Sequence, residues 1–125
     1  MATILIVEDS PDNMKLFRAL LTLQGHTVLG LGSGDGLIRE IRDRKPDLVL
    51  MDIQLPERDG FALLQDIRRE ITARLPVVAL TAHAMAGDRE RAIGAGFDGY
   101  ITKPIDIRAF PDQVLAALPP RPAAG

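Results

Sequence analysis

Four short runs in this chain each end in a polar group. Ile4-Leu5-Ile6-Val7 leads into Glu8-Asp9, Leu48-Val49-Leu50-Met51 into Asp52, Val77-Val78-Ala79-Leu80 into Thr81, and Tyr100-Ile101-Thr102 into Lys103-Pro104. Helix-length segments separate them. Short apolar runs of this kind suggest strands buried on both faces of a parallel sheet. Such a sheet collects the residues after its strand ends along one edge. Three carboxylates, a hydroxyl and an ammonium then meet in one crevice, an acidic pocket suited to a divalent cation.

The intervening segments read as helices. After Asp9-Ser10-Pro11, an N-cap candidate with proline in the first turn, Met14, Phe17, Leu20 and Leu21 recur at helical spacing until Gly25, which predicts a helix over roughly residues 11 to 24. A weaker strand, Thr27 to Leu31, leads through Gly32-Ser33-Gly34 to a helix with the stripe Leu37, Ile38, Ile41, stopped by Lys45-Pro46-Asp47. The turn region from Leu55 to Gly60 precedes a helix with Phe61, Leu64, Ile67 and Ile71 inward, and Pro76 opens the fourth strand. A fourth helix is predicted from about Ala84 to Ala95, closing on Gly96, and a last one between Asp106 and Leu118. Pro111 would break the interior of that last helix, so the helix starts late or kinks there. Five strands alternating with five helices, joined by right-handed crossovers, predict a doubly wound α/β fold with helices on both faces of the sheet.

At 125 residues the chain is one domain, large enough to bury a core without staples. Its net charge of -2, from 15 basic and 17 acidic residues, offers no electrostatic footprint for nucleic acid. The lack of cysteine excludes disulfides, thiolate metal sites and thiol chemistry, and suits a reducing cytoplasm. No apolar run approaches membrane-spanning length and no basic leader precedes the first strand, so the expectation is a soluble, cytoplasmic protein without membrane insertion. Pro119-Pro120-Arg121-Pro122-Ala123-Ala124-Gly125 cannot continue a helix and lacks a large apolar anchor; it reads as a loose tail after a domain spanning 1–118.

Bringing Glu8, Asp9 and Asp52 together is costly, because two unit charges about 4 Å apart repel by roughly 4 kcal/mol at an effective dielectric of about 20. Something positive is needed, and Mg²⁺, with Mn²⁺ as a substitute, suits an oxygen-only site that leaves coordination positions open to a phosphoryl group. Lys103 and the Thr81 hydroxyl then pair with phosphoryl oxygens, and Asp52 acts as the nucleophile, forming an aspartyl phosphate. Singly, each residue has a plainer reading: Glu8-Asp9 as helix capping and dipole compensation, Asp52 as a turn residue, Thr81 as a cap, Lys103 as a solvated charge. Their joint placement at the ends of different strands favours function.

These stretches, with Asp47 through Pro56, Asp59-Gly60 and Leu80-Thr81-Ala82, resemble the response-regulator receiver domain of bacterial two-component signalling over essentially the whole chain. The resemblance implies a flavodoxin-like, CheY-like five-stranded parallel sheet in the order 2-1-3-4-5. It implies that Asp52 accepts a phosphoryl group from a histidine kinase or histidine phosphotransfer protein. Glu8 and Asp9 would hold Mg²⁺, helped by Asp52 and the backbone carbonyl of Gln54, while Thr81 and Lys103 bind the phosphoryl group. The Lys103-Pro104 peptide is expected to be cis. By the same resemblance Thr81 and Tyr100 form a switch that remodels the surface of helix four, strand five and helix five for a downstream protein effector, acting as monomer or weak phosphorylation-dependent dimer. By the same layout Gln54 and Arg58 would lie near the crevice mouth, where either meets a donor protein or tunes phosphoryl lifetime; His83, two residues past Thr81, either sits near the phosphoryl group and influences how fast water attacks it or is an exposed loop histidine. The stretch Ala82 to Asp88 is similar to those of single-domain cell-cycle or cell-fate regulators and of hybrid-kinase receivers.

Rival readings fare worse. A flavodoxin needs a Ser/Thr/Gly-rich phosphate loop after strand one, where this chain has Glu8-Asp9-Ser10-Pro11, and one tyrosine with no tryptophan leaves little to stack on a flavin. An aspartyl-nucleophile phosphatase needs a second carboxylate two residues on, where this chain has Gln54. The expectation is a phosphoacceptor signalling protein rather than an enzyme acting on external substrates. A receiver fragment of a hybrid kinase, and a receiver that binds partners without phosphorylation, stay as alternatives.

Overall fold

The computed structural model describes residues 2–55, 60–71, 74–82 and 87–118. In chain order the elements are β1 (Thr3–Val7), α1 (Pro11–Leu23), β2 (Thr27–Leu31), α2 (Leu37–Arg44), β3 (Leu48–Asp52), α3 (Gly60–Glu70), β4 (Val77–Thr81), α4 (Asp88–Ala95), β5 (Gly99–Thr102) and α5 (Phe110–Ala117). The five strands form one parallel sheet in the order β2-β1-β3-β4-β5.

Side chains of successive strand residues point to opposite faces, and each face of this sheet has its own core. On one side Leu5, Val7, Val49, Met51, Val77 and Ala79 meet Leu37 and Ile41 of α2, Leu63, Leu64 and Ile67 of α3, and Ala92 of α4. On the other, Ile4, Ile6, Leu48, Leu50, Val78, Leu80 and Ile101 meet Phe17 and Leu21 of α1 and Phe110 and Val114 of α5. Phe17 and Phe110 stack with ring centroids 5.3 Å apart, joining α1 to α5 across that layer. Burial on both faces explains why the strands read as unbroken apolar runs rather than alternating ones.

Helix starts follow local chemistry. At α1, Ser10 has extended backbone and its hydroxyl accepts from the Asn13 N–H at 3.3 Å, with Pro11 in the first turn where its missing N–H costs nothing. The last helix resolves its awkward proline by starting late: α5 begins at Phe110, so Pro111 lies in its first turn. The preceding turn is tied by Asp106, whose carboxylate accepts from the Arg108 N–H at 3.0 Å and whose carbonyl accepts from the Phe110 N–H at 2.8 Å.

The fourth helix departs from expectation. It starts at Asp88, not near Ala84, because Gly87 takes φ 89° and ψ -13°, outside the right-handed helical basin, so no continuous helix passes through it. Residues 83–86 lie outside the described residues, as does the tail 119–125. Leu63, absent from the expected inward face of α3, is fully buried there, whereas Phe61 is half-buried and Ile71 lies just past the helix end.

At the amino edge of the sheet, Asp98 ties three elements. Its Oδ2 accepts from the Val77 N–H and from Arg68 Nη2, each at 2.8 Å, while Arg74 pairs with Oδ1. Arg68 also donates to the carbonyls of Leu75 at 2.6 Å and Gly96 at 2.8 Å. The C-terminal end of α3, the start of β4 and the turn before β5 are thereby fixed, at the end of the sheet away from the crevice.

Candidate functional site

The strand register lines up the residues at the carboxyl edge. Val7 pairs with Met51 across β1 and β3, so Glu8 and Asp52 follow side by side; Asp52 pairs with Leu80, and Thr81 with Thr102, which puts Lys103 next along β5. The Lys103 N–H donates to the Thr81 carbonyl at 2.7 Å, which extends the ladder by one residue, and the Lys103-Pro104 peptide bond is cis.

Glu8 and Asp52 are only 2% and 3% exposed, and Thr81 is fully buried, while Asp9 is exposed. Single carboxylate oxygens of Glu8, Asp9 and Asp52 all lie within 4.8 Å of one another. Lys103 Nζ enters this cluster, donating to Glu8 Oε1 at 2.9 Å and to Asp52 Oδ2 at 3.0 Å. The remaining oxygens of the buried pair are met by backbone: the Ser10 N–H donates to Glu8 Oε2 at 3.0 Å and the Gln54 N–H to Asp52 Oδ1 at 2.8 Å. Each buried carboxylate is therefore oriented by one ammonium and one main-chain donor.

Burial pushes the Glu8 carboxyl above its ordinary value, against the pull of Lys103 and the Ser10 N–H, and the charge of Asp52 adds to the rise. At Lys103 burial opposes the charge, but the hydrogen bonds it donates to Glu8 and Asp52 and their negative charge outweigh it, holding the ammonium above its usual pKa. Carboxylates this close need a positive partner, and the chain supplies part of that charge itself in Lys103. Strand-end placement brings Lys103 to the crevice, but its direct pairing with Glu8, 95 residues away, is set by the packed fold.

Three carboxylates against one ammonium still leave an excess of negative charge. The donors are all oxygens and Asp9 opens the cluster to solvent, a set that suits a hard divalent cation keeping waters or phosphate oxygens in its remaining positions. Gln54 is exposed at the crevice mouth beside Asp52. His83 and Arg58 lie outside the described residues.

Tyr100 pairs with Ala79 on β4, on the same face of the sheet as Thr81, and is half-buried against the core beneath α2, α3 and α4. Burial raises the pKa of its hydroxyl, and the nearby charges of Asp88 and Glu90 at the start of α4 add to the effect.

An open parallel α/β sheet whose carboxyl edge gathers an acidic cluster around a lysine is the layout of a phosphoacceptor signalling domain. The chain belongs to the response regulator receiver domain family, whose model matches residues 4–115. It is 40% identical over 117 residues to the polar-differentiation response regulator DivK of Brucella ovis, covering 93% of this chain and 95% of that protein. The BeF3-activated N-terminal receiver domain of Klebsiella pneumoniae RstA superposes with a TM-score of 0.86 at 30% identity, covering 94% of this chain and 99% of that one. The receiver domain of a Pseudomonas aeruginosa sensor histidine kinase, with a magnesium ion coordinated in its active site cleft, gives a TM-score of 0.82 at 33% identity, covering 93% of this chain and 96% of that one. Among the described residues no helix is long and apolar enough to cross a membrane.

Proposed function

We propose that Asp52 is the phosphoacceptor of a two-component or phosphorelay system, taking its phosphoryl group from a histidine kinase or histidine phosphotransfer protein. The observation that carries this reading is the acidic cluster around Asp52, with one carboxylate oxygen fixed by the Gln54 N–H and the other by Lys103. Glu8, Asp9, Asp52 and the Gln54 carbonyl would hold Mg²⁺ or Mn²⁺, which supplies positive charge to the phosphoryl oxygens. The magnesium in the cleft of the Pseudomonas relative supports that choice.

In the transfer a carboxylate oxygen of Asp52 attacks phosphorus, the P–N bond to the donor imidazole breaks, and that nitrogen keeps the electron pair and takes up a proton. Because Lys103 binds Asp52 Oδ2 in the resting site, its ammonium is already beside the oxygen that gains the group, and it exchanges a carboxylate contact for a phosphoryl oxygen. Thr81 offers its hydroxyl to a second phosphoryl oxygen. Hydrolysis reverses the state: water attacks phosphorus and Asp52 leaves as carboxylate, at a rate tuned by Gln54 and His83. The domain thus catalyses only its own phosphorylation and dephosphorylation.

Movement of Thr81 toward the new dianion, with Tyr100 on the same sheet face, would remodel α4, β5 and α5 for a downstream protein. We place this cycle in the cytoplasm, in a 1–118 domain followed by the tail 119–125, acting as a monomer or weak phosphorylation-dependent dimer. Treatment with phosphoramidate and Mg²⁺, then borohydride, tests the assignment: the reduced acyl phosphate is expected at Asp52 in the peptide map. Label at any other residue would overturn it.

A further inference from the structure

Gly60, the first residue of α3, packs closely against Ile53, the residue after Asp52. The Gly60 N–H donates to the Ile53 carbonyl at 3.2 Å, and a Cβ at Gly60 would stand 2.6 Å from Ile53 Cα and 3.1 Å from the Asp52 carbonyl oxygen. Gly60 thus leaves no room for a side chain, its backbone lies directly against Ile53, and the hydrogen bond to the Ile53 carbonyl ties the first turn of α3 to the residue after Asp52. The next residue, Phe61, reaches α4 and the turn after it. Its ring meets Phe97 edge-on with centroids 5.5 Å apart, and the Arg91 guanidinium of α4 lies 4.9 Å from its centroid, within cation–π range.

We infer that Arg91 and Phe61 form a latch that couples the position of α4 to the backbone beside Asp52. The contacts are continuous: Arg91 on α4, the Phe61 ring in the first turn of α3, and the Gly60 N–H on the carbonyl of Ile53, which follows Asp52. This route runs through β3 and α3, separate from Thr81 and Tyr100 on β4 and β5. Linkage makes it work in both directions, so a protein that binds α4 and pulls Arg91 from the ring would alter the phosphoryl chemistry at Asp52, and phosphorylation would alter the hold on α4. The functional consequence rests on the phosphoacceptor reading above; the structural coupling does not.

The test uses the whole chain with Arg91→Gln, Phe61→Leu and the double variant, and Arg39→Gln, at an exposed position of α2, as a control for lost charge. Amide NMR spectra of the unphosphorylated proteins read the coupling without any phosphodonor. Arg91→Gln is expected to shift the Ile53 and Gly60 amides as well as its own helix, with the double variant showing no further shift beyond Phe61→Leu. The phosphoryl half-life after treatment with phosphoramidate and Mg²⁺ is expected to change roughly two- to five-fold in each single variant, and no further in the double, in keeping with one exposed cation–π contact. Shifts confined to α4 and the Phe61 ring, or additive effects in the double variant, would overturn the latch. If the wild-type chain takes up no phosphoryl group, the phosphoacceptor reading fails while the amide shifts still decide the coupling.

Discussion

Lys103 Nζ lies 3.0 Å from Asp52 Oδ2, so the buried carboxylate at the end of β3 carries a counterion supplied by β5. The same ammonium reaches Glu8 at 2.9 Å and is itself only 12% exposed in its side chain. One cation thus compensates two buried carboxylates while leaving the outer one, Asp9, to solvent. The arrangement separates two tasks in the proposed chemistry: Asp9 governs how a metal ion is held, and Lys103 governs what happens at the Asp52 oxygen.

Lys103→Ala removes a positive charge from beside the cluster but leaves every proposed metal ligand in place. Mg²⁺ affinity is expected to hold or rise, read by isothermal titration. Phosphoryl uptake at saturating Mg²⁺ should fall by roughly 100-fold or more, the scale of losing a charged group that stabilises developing negative charge. Equal loss of Mg²⁺ binding and phosphoryl uptake would show that Lys103 holds the site together rather than acting on the phosphoryl group.

Asp9→Ala has the opposite profile. Asp9 is exposed, and its removal relieves repulsion, so stability in chelator should be unchanged or slightly higher. The thermal shift that Mg²⁺ produces should largely vanish. For the native chain at 100 times its dissociation constant, that stabilisation is about 2.7 kcal/mol. A Mg²⁺-induced shift equal to that of the native chain would remove Asp9 from the metal site.

Asp98→Ala tests architecture apart from chemistry. It deprives the Val77 N–H and Arg68 of their acceptor and unpairs Arg74 at the far end of the sheet. Unfolding in urea should show a loss of about 1–3 kcal/mol, with Mg²⁺ affinity unchanged. A matching fall in Mg²⁺ affinity would mean that the two sheet edges are coupled.

The contrast between Asp52 and Asp98 shows what a sequence makes legible. Asp52 ends an apolar run, as Glu8, Thr81 and Lys103 follow others, and parallel pairing carries all such ends to one edge whatever the details of packing. Strand positions and the shape of the crevice therefore emerge from local pattern. Asp98 sits in a Phe-Asp-Gly turn that reads as a connection, and its partners Arg68 and Arg74 lie 30 and 24 residues away, a relation fixed only when α3 packs on the sheet. Arg91 over Phe61 is hidden for the same reason. The start of α4 at Asp88 is likewise set by a backbone conformation, the left-handed Gly87, that residue type alone does not announce.

The most direct test of the central claim is intact mass after incubation with phosphoramidate, comparing the native chain with Mg²⁺, the native chain in chelator, and Asp52→Asn with Mg²⁺. A single phosphoryl adduct on the native chain that disappears in both other samples is the expected result. An adduct that survives in Asp52→Asn, or forms equally well without metal, would contradict the assignment of Asp52 as a metal-dependent phosphoacceptor.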